Sequence, residues 1–360
     1  MEHSLDLTYH WAGFSALVVF VIAYAFVMAE EFTHLRKSKP VVLAAGLIWG
    51  MIAIAYSNTP HYEMVEHEIR HSFLEYTELA FFLLVAMTYI NALEERNVFN
   101  SLKSWLIKNQ FSYRQLFWIT GVLAFFLSPL ADNLTTALVL CAVVVAVGSS
   151  SPKFVGLACV NIVVAANAGG AFSPFGDITT LMVWQAGQLD FLQFFALVIP
   201  SVVNYIIPAS IMHFFVSDHK PDVAETSVTI KYGGKTIILL GLLTIVTAVS
   251  FHNFLHLPPV FGMMTGLAYL QLYSFYIKIS VKDIEEQKYD FFENVARVEW
   301  DTLLFFFGVI LSVGGLGFIG YLEYVSEFMY TDLGATTANV LVGILSAIVD
   351  NIPVMFAVLT

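Results

Sequence analysis

The chain has 360 residues, of which 58% are hydrophobic and only 12% are charged. Soluble globular proteins are about 45–50% apolar and about 25% charged, so this composition excludes an ordinary soluble enzyme and predicts a membrane protein. The net charge of −12 decides little, because the position of basic residues matters more than their sum. Two cysteines, Cys141 and Cys159, are too few for a disulfide framework or a zinc site, so we interpret them as core residues.

Apolar runs recur along the chain, each close to the ~20 residues that a helix needs to cross ~30 Å of hydrocarbon. The first part is predicted to contain spans at about 11–29, 41–57 and 73–92, a hairpin at 116–147, a broken helix at 154–186 and a span at 191–216. A linker at 217–234 follows, and residues 235–360 resume the pattern. The predicted fold class is an all-α polytopic membrane protein with re-entrant helical hairpins and broken transmembrane helices.

The distribution of basic residues predicts the orientation of the spans. The two arms of the hairpin, Leu116–Leu130 and Leu134–Val147, are each about 15 residues or ~22 Å long, too short to span. If the hairpin enters and leaves on one side, all basic residues except Arg70 lie on the cytoplasmic side, and the N-terminus lies outside. The alternative is two full helices joined by a solvent-exposed turn, which would reverse every later loop. We therefore predict a re-entrant hairpin with Asp132 and Asn133 at its tip, near mid-membrane.

The chain also contains an internal repeat. The string Glu75-Tyr-Thr-Glu-Leu-Ala-Phe-Phe82 matches Glu299-Trp-Asp-Thr-Leu-Leu-Phe-Phe306, and Ala131-Asp-Asn-Leu134 matches Val349-Asp-Asn-Ile352. By the charge distribution, the two copies run in opposite directions through the membrane. Inverted repeats of this kind are typical of secondary transporters, whose sites lie at the midplane on interrupted helices. We therefore interpret residues 1–216 and 235–360 as two inverted repeats joined by a cytoplasmic linker.

The predicted broken helix carries polar and helix-breaking residues within an apolar run. Glycine and proline interrupt the helical ladder and free carbonyl oxygens, while hydroxyls, amides and a carboxylate supply further oxygen atoms, the ligands that hard cations prefer. The alternative is a kinked helix whose polar groups satisfy only its own backbone. The helix-breaking residues are Gly169, Gly170 and Pro174, and the polar residues are Asn167, Ser173, Asp177 and Thr179.

The charged residues of the membrane elements predict the sign of the substrate. Asp132, Asp177 and Asp350 lie in predicted membrane elements, whereas Lys and Arg do not. An ionised side chain at bilayer depth costs at least ~2.5–3.5 kcal/mol, which favours a functional role for these carboxylates. They favour a cation or protons, although anions stay open because helix N-termini can also bind them. Desolvation favours the protonated carboxyl, so competition between a metal cation and a proton would yield antiport.

Four strings resemble one transporter family: EYTELAFFLLVAMTYINALEERNVF, SPLADNLTTALVL, NAGGAFSPFGDITTLMVWQAG and LSAIVDNIPVMFAVLT. They closely resemble the NhaD-type sodium/proton antiporters of the ion-transporter superfamily, over essentially the whole chain. The resemblance implies a homodimer in the bacterial inner membrane that exports Na⁺ or Li⁺ in exchange for H⁺, without a cofactor, by moving a transport domain against a scaffold. It implies these cation- or proton-binding residues: Asp132, Asn133, Asn167, Ser173, Asp177, Thr179, Asp350 and Asn351, to which we add Thr135 and Thr136.

The hairpin tips separate this chain from the dicarboxylate and arsenite carriers of the same superfamily, which are the alternative function. Dicarboxylate relatives carry Ser-Asn-Thr at their tips, whereas this chain carries Ala131-Asp132-Asn133 and Val349-Asp350-Asn351, which favours cations. Asn167 lies 35 residues after Asp132, so its counterpart after Asp350 would lie near position 385, beyond Thr360. Either the chain is a fragment that lacks the rest of its second repeat, or the protein carries only half of the expected site. We expect a fragment.

Two further groups of residues have competing interpretations. His67-Glu68-Ile-Arg-His71 matches the H-E-x-x-H pattern of zinc metalloproteases. We interpret it as part of a solvated outside loop without a third ligand, while a protease or a histidine cluster that senses external pH remains an alternative that metal analysis would test. Glu75 and Glu78, at the outer end of the third span, either form a proton path or are interfacial charges.

Overall fold

The computed structural model describes residues 6–57, 59–109, 111–148, 151–220, 228–280, 289–348 and 351–359, with only the backbone described at positions 332, 348 and 353. These residues form helices and connecting segments, and no strand occurs among them. The helices are α1 (Trp11–Met28), α2 (Glu30–Thr33), α3 (Ser38–Tyr56), α4 (Tyr62–Glu95), α5 (Val98–Lys108), α6 (Tyr113–Ala131), α7 (Asn133–Val147), α8 (Pro152–Gly170), α9 (Ile178–Gln185), α10 (Val198–His213), α11 (Gly234–Leu255), α12 (Pro259–Ser280), α13 (Phe291–Ala296), α14 (Trp300–Ile319), α15 (Tyr321–Glu327), α16 (Ala335–Ile348) and α17 (Asn351–Leu359). A 3₁₀ helix at Phe191–Leu197 precedes α10, and a π-helical turn at Phe328–Asp332 follows α15.

Nine helical segments of the described chain are long and apolar enough to cross a membrane. They are α1, α3, α4, α6, α8, the continuous segment Phe191–His213, α11, α12 and α14. The prediction of an all-α polytopic membrane protein is thereby confirmed. The division into two inverted repeats and the cytoplasmic position of the linker stay predictions.

Two predicted element lengths differ from the structure. The third span was predicted at 73–92, but α4 covers 34 residues, or ~51 Å, because it already begins at Tyr62. The first hairpin arm was predicted to be too short to span, but α6 has 19 residues and is a candidate span by length. It begins at Tyr113 because the side chains of Ser112 and Gln115 cap its first turn reciprocally. Of the two hairpin arms, only α7, with 15 residues, is too short to span the hydrocarbon.

The helices divide into two compact units, 1–83 with 299–360, and 84–298. In the first unit α14 is the central helix, and 67% of its apolar window is buried. It packs against α3, where the Trp49 indole nitrogen donates a hydrogen bond of 2.8 Å to the Leu311 carbonyl. The Ser38 hydroxyl donates to the Asp301 carboxylate at 2.5 Å, at the ends of the same two helices. Helix α1 packs against α3 and α14.

In the second unit, α8 is the helix around which α6, α7 and α10 pack. The core between them is formed by aliphatic and aromatic side chains, including Phe117, Leu140, Phe154 and Ile162, which are all buried. Within a lipid bilayer, such side chains stabilise helix packing mainly through dispersion contacts.

The helix pair α11 and α12, also in the second unit, packs through a small-residue stripe. Gly262 and Gly266 form a G-x-x-x-G pattern, which lets two helix backbones approach closely. A Cβ at Gly262 would lie 2.3 Å from the Ala248 Cα, and one at Gly266 would lie 2.1 Å from the Thr244 hydroxyl. The Tyr89 hydroxyl donates to the Gly266 carbonyl at 2.7 Å and ties α4 to this pair.

We expect Gly262→Ala to lower the melting temperature of the purified protein, because the added methyl group meets the backbone of α11. Overpacking of this kind costs about 1–3 kcal/mol. The matched control is Gly241→Ala in α11, where the nearest atom to the added Cβ is a Tyr89 ring carbon at an ordinary 3.5 Å. A melting temperature that falls equally in both variants would contradict close packing at Gly262.

Candidate functional site

Helix α6 runs alongside α8 in the same direction. Near the start of α6, the Phe117 carbonyl accepts a hydrogen bond of 2.9 Å from the Asn161 side-chain amide. Towards its end, the Ser128 hydroxyl donates at 2.6 Å to the Ala166 carbonyl, one turn before α8 ends. The end of α6 therefore lies beside the C-terminal end of α8.

Helix α7 returns along α8 in the opposite direction. Asn133, at its start, contacts Asn167 near the end of α8, and the Cys141 sulfur lies 4.0 Å from the Cys159 carbonyl oxygen further back. Since α6 is parallel and α7 antiparallel to the same helix, the two form a helical hairpin with Asp132 at its tip. Its depth in the membrane stays a prediction.

The tip is a single residue, Asp132, in an unusual backbone conformation. Its φ of 55° and ψ of 161° lie in a region that side chains other than glycine rarely adopt. One carboxylate oxygen accepts the Thr135 backbone N–H at 2.8 Å, and the other accepts the Thr135 hydroxyl at 2.8 Å. Asp132 is thus the N-cap of α7. The neighbouring Thr136 hydroxyl is buried and has no hydrogen-bond partner among the described residues.

The broken helix has its interruption beside this tip. Helix α8 ends at Gly170, and the chain turns so tightly that a Cβ on Gly170 would lie 2.5 Å from the Gly176 carbonyl oxygen. Within the turn, Ser173 and Pro174 are buried. The Ser173 hydroxyl donates at 2.9 Å to the Pro129 carbonyl, the last turn of α6. The broken helix and the hairpin tip are therefore held together by side-chain and backbone contacts.

The chain resumes its helical course at Asp177, which caps α9. One Asp177 carboxylate oxygen accepts the Thr179 backbone N–H at 2.9 Å and the Thr179 hydroxyl at 2.7 Å. The other oxygen accepts the Asn133 side-chain amide at 2.5 Å. The same Asn133 amide nitrogen donates to the Asn167 side-chain oxygen at 2.9 Å. Asn133 therefore joins the hairpin tip to both halves of the broken helix.

We call the polar residues around this amide the tip cluster. Asn167 is exposed, and the other members are half-buried, so the cluster is accessible from outside the unit. The tip cluster consists of Asp132, Asn133, Thr135, Asn167, Asp177 and Thr179.

The helix ends around the tip cluster add partial charges. Asp132 and Asp177 cap the N-termini of α7 and α9, where the positive end of the helix dipole favours an ionised carboxylate. The C-terminal end of α8 contributes carbonyl groups with negative partial charge to the same region. Two carboxylates, amide and hydroxyl oxygens and helix carbonyls form a ligand set suited to a hard cation.

Other predicted site residues lie elsewhere in the chain. Asp350 is outside the described residues, while Asn351 is exposed at the start of α17 in the first unit. Glu75 and Glu78 are half-buried in the first-unit part of α4, and the Glu75 carboxylate lies 3.7 Å from the His71 ring nitrogen Nδ1. Their roles in a second half-site and in a proton path stay predictions.

The interpretation of the H-E-x-x-H pattern as a loop is wrong, because His67, Glu68 and His71 lie in the first turns of α4. This helical extension buries Val65, and an exposed i,i+4 ion pair of 2.7 Å between Arg70 and Glu66 adds a small stabilisation of about 0.2–0.5 kcal/mol. The two histidines are exposed and share a helix face. Among the described residues, no group of three or more His, Cys, Asp or Glu side chains could hold a metal ion.

Three residues that support the tip were not predicted as site residues from the sequence. Ser128 and Pro129 lie in the last turn of α6, and Gly176 faces Gly170 in the turn after α8. The Ser-Pro pair just before Asp132 could have indicated the first two residues from the sequence. Proline has no backbone N–H, so within a helix it leaves the carbonyl four residues earlier without its usual hydrogen bond. That carbonyl belongs to Phe125.

Comparisons with known proteins indicate the class of this site. A family model described as "Citrate transporter" matches residues 11–360. The chain is 53% identical to the Na⁺/H⁺ antiporter NhaD of Vibrio cholerae, over 99% of this chain and 79% of the relative. It is 51% identical to the Na⁺/H⁺ antiporter NhaD of Halomonas elongata, over 99% of this chain and 76% of the relative. It is also 31% identical to sodium/proton antiporter 1 of Arabidopsis thaliana, over 94% of this chain and 59% of that relative.

Proposed function

The chain belongs to the family of NhaD sodium/proton antiporters, and from this premise we propose that it exchanges Na⁺ or Li⁺ for H⁺ across the bacterial inner membrane. The substrates are the metal cation and the proton, and the protein needs no resident cofactor. It acts as a multi-pass membrane protein, as a homodimer with its N-termini outside, by alternating access.

The contact that supports this proposal most directly is the Asn133 side-chain amide, which donates to Asp177 and to Asn167. One residue of the hairpin tip thereby holds together the two halves of a broken helix. A cation that binds between Asp132 and Asp177 contacts groups from three helix ends at once. Binding and release of that cation are therefore coupled to the relative position of the hairpin and the broken helix.

Exchange follows from competition for the same carboxylates. A bound Na⁺ favours the ionised carboxylates at the tip cluster, and protonation removes the charge that attracts the metal ion. If the protein changes its accessible side only with either the cation or the proton bound, outward movement of one requires inward movement of the other. Asp132 and Asp177 are the residues that we assign to this competition.

Everted membrane vesicles that contain the intact protein test this function. With a pH gradient established by respiration and reported by a quenched dye, we expect Na⁺ and Li⁺ to relieve the quenching and K⁺ to leave it unchanged. Vesicles from the same cells without the protein are the control. Absence of relief with either Na⁺ or Li⁺ would contradict the proposal.

The description of the matching family model favours a second candidate, the transport of a carboxylate anion such as citrate. The tip cluster argues against it, because its side chains are carboxylates, amides and hydroxyls, and Asp132 and Asp177 would repel an anion. The same vesicles separate the two functions. Relief by potassium citrate or potassium succinate, without Na⁺ or Li⁺, would favour the anion carrier.

A further inference from the structure

A pocket of about 470 Å³ lies at the opposite end of the hairpin from the tip cluster, between the start of α6 and the end of α10. This volume lies within the ~300–1,000 Å³ of typical ligand pockets. Both helix ends are the ends of candidate membrane spans, Tyr113–Ala131 and Phe191–His213. For two spans that cross the membrane over their full length, we expect a pocket at their ends to lie where the hydrocarbon ends and the lipid headgroups begin.

The pocket holds a cation that has no carboxylate partner among the described residues. Arg114 lines it and donates one hydrogen bond of 3.1 Å, from Nη2 to the Val216 carbonyl. Its Nε is buried and has no partner in the described part of the chain. Arg114 also lies in the first turn of α6, where the positive end of the helix dipole disfavours a cation and favours an anion. The guanidinium therefore has no anionic partner in the described part of the chain.

The same pocket holds a carboxylate that is separate from this cation. Asp218 lines the pocket and accepts a hydrogen bond of 2.8 Å from the Ser112 hydroxyl. The described ion pairs do not include one between Asp218 and Arg114. The pocket thus presents one positive and one negative group that do not neutralise each other by contact.

An aromatic ring and an imidazole complete the lining. The Trp118 indole N–H donates at 3.0 Å to His213 Nδ1, so the neutral imidazole carries its hydrogen on Nε2. Both residues line the pocket. His213 therefore offers a second donor for an anion, and the Trp118 ring offers a face that attracts an ammonium group.

From this arrangement we propose that the pocket binds the headgroup of a zwitterionic phospholipid with a primary amine, phosphatidylethanolamine. Its phosphate accepts hydrogen bonds from Arg114 and His213, and its ammonium group donates to Asp218 and lies against Trp118. Exposed apolar side chains next to the pocket, Phe214 among them at 80% exposure, provide contacts for the acyl chains. A purely anionic headgroup would leave Asp218 opposed by a like charge.

The test is native mass spectrometry of the purified, delipidated full-length protein. The probes are phosphatidylethanolamine, phosphatidylglycerol, phosphatidylcholine, glycerophosphoethanolamine and inorganic phosphate. We expect phosphatidylethanolamine to bind about tenfold more tightly than the other two lipids, because only it matches both charges and donates N–H groups to a carboxylate. Tighter binding of phosphatidylglycerol would overturn the zwitterion assignment. Equal binding of glycerophosphoethanolamine or inorganic phosphate would overturn the lipid assignment in favour of a soluble phosphate compound.

Two variants assign the binding to this pocket. Arg114→Gln should weaken phosphatidylethanolamine binding about tenfold or more, whereas the control Lys153→Gln, an exposed cation in the first turn of α8, should not. Asp218→Asn keeps an oxygen for the Ser112 hydroxyl and so preserves the local fold. It should reduce the preference for phosphatidylethanolamine over phosphatidylglycerol. Identical lipid binding by Arg114→Gln and Lys153→Gln, or an unchanged preference in Asp218→Asn, would place the lipid elsewhere and overturn the proposal.

Discussion

Asp132→Asn is expected to abolish Na⁺-dependent proton exchange while leaving the folded protein intact. Asparagine caps a helix about as well as aspartate, so its side-chain oxygen can still accept the Thr135 backbone N–H. Asparagine also has nearly the same shape as aspartate, so the substitution adds no new steric conflict at this tip. It cannot carry the charge that attracts a cation, and it cannot bind the competing proton.

The measurement is quenching relief by Na⁺ in everted vesicles, with protein amount and melting temperature determined for each variant. The matched control is Asp190→Asn, which replaces the exposed N-cap of the 3₁₀ helix Phe191–Leu197 by the same chemistry. We expect this control to exchange at the wild-type rate. Wild-type exchange by Asp132→Asn would remove Asp132 from the coupling of cation and proton.

Gly169→Ala is expected to remove exchange by a different route, through displacement of the broken helix from the hairpin. A Cβ at this position would lie 2.1 Å from the Phe125 carbonyl oxygen and 2.8 Å from its carbon. These are backbone atoms of α6, which cannot move aside as the end of a flexible side chain could. Pro129 supplies no N–H to this carbonyl, so the usual i→i−4 hydrogen bond of α6 is missing where Gly169 lies against it.

Overpacking against a backbone costs about 1–3 kcal/mol and sometimes more, so the melting temperature should fall together with exchange. Gly156→Ala, in the same helix, is the control because no atom lies within 4 Å of its added Cβ. The extra helix propensity of alanine, up to about 1 kcal/mol, should leave that variant as stable as the wild type or slightly more so. Unchanged exchange and an unchanged melting temperature in Gly169→Ala would contradict this prediction, because they would show that α6 and α8 can move apart at Gly169 without cost.

The amino-acid sequence by itself determined the membrane class, the positions of the apolar helices and the residues at which two of them are interrupted. These features are local. Hydrocarbon thickness sets the length of an apolar run. The break in the helix follows directly after Gly170, and Pro174 lies within it. A carboxylate at Asp132 is conspicuous because burial of its charge is costly. The first turns of α4 were wrongly predicted to be a loop, because their polar residues were interpreted as a sign of non-helical structure.

Only the tertiary structure decided which groups meet. Asn133 and Asp177 are 44 residues apart, yet one amide joins them. Ser112 and Asp218, which are joined by a hydrogen bond in the lining of the pocket near the start of α6, are 106 residues apart. Such pairs depend on how α6, α7, α8 and α10 pack, and that packing follows from the close approach of whole helix surfaces rather than from the preference of any single residue.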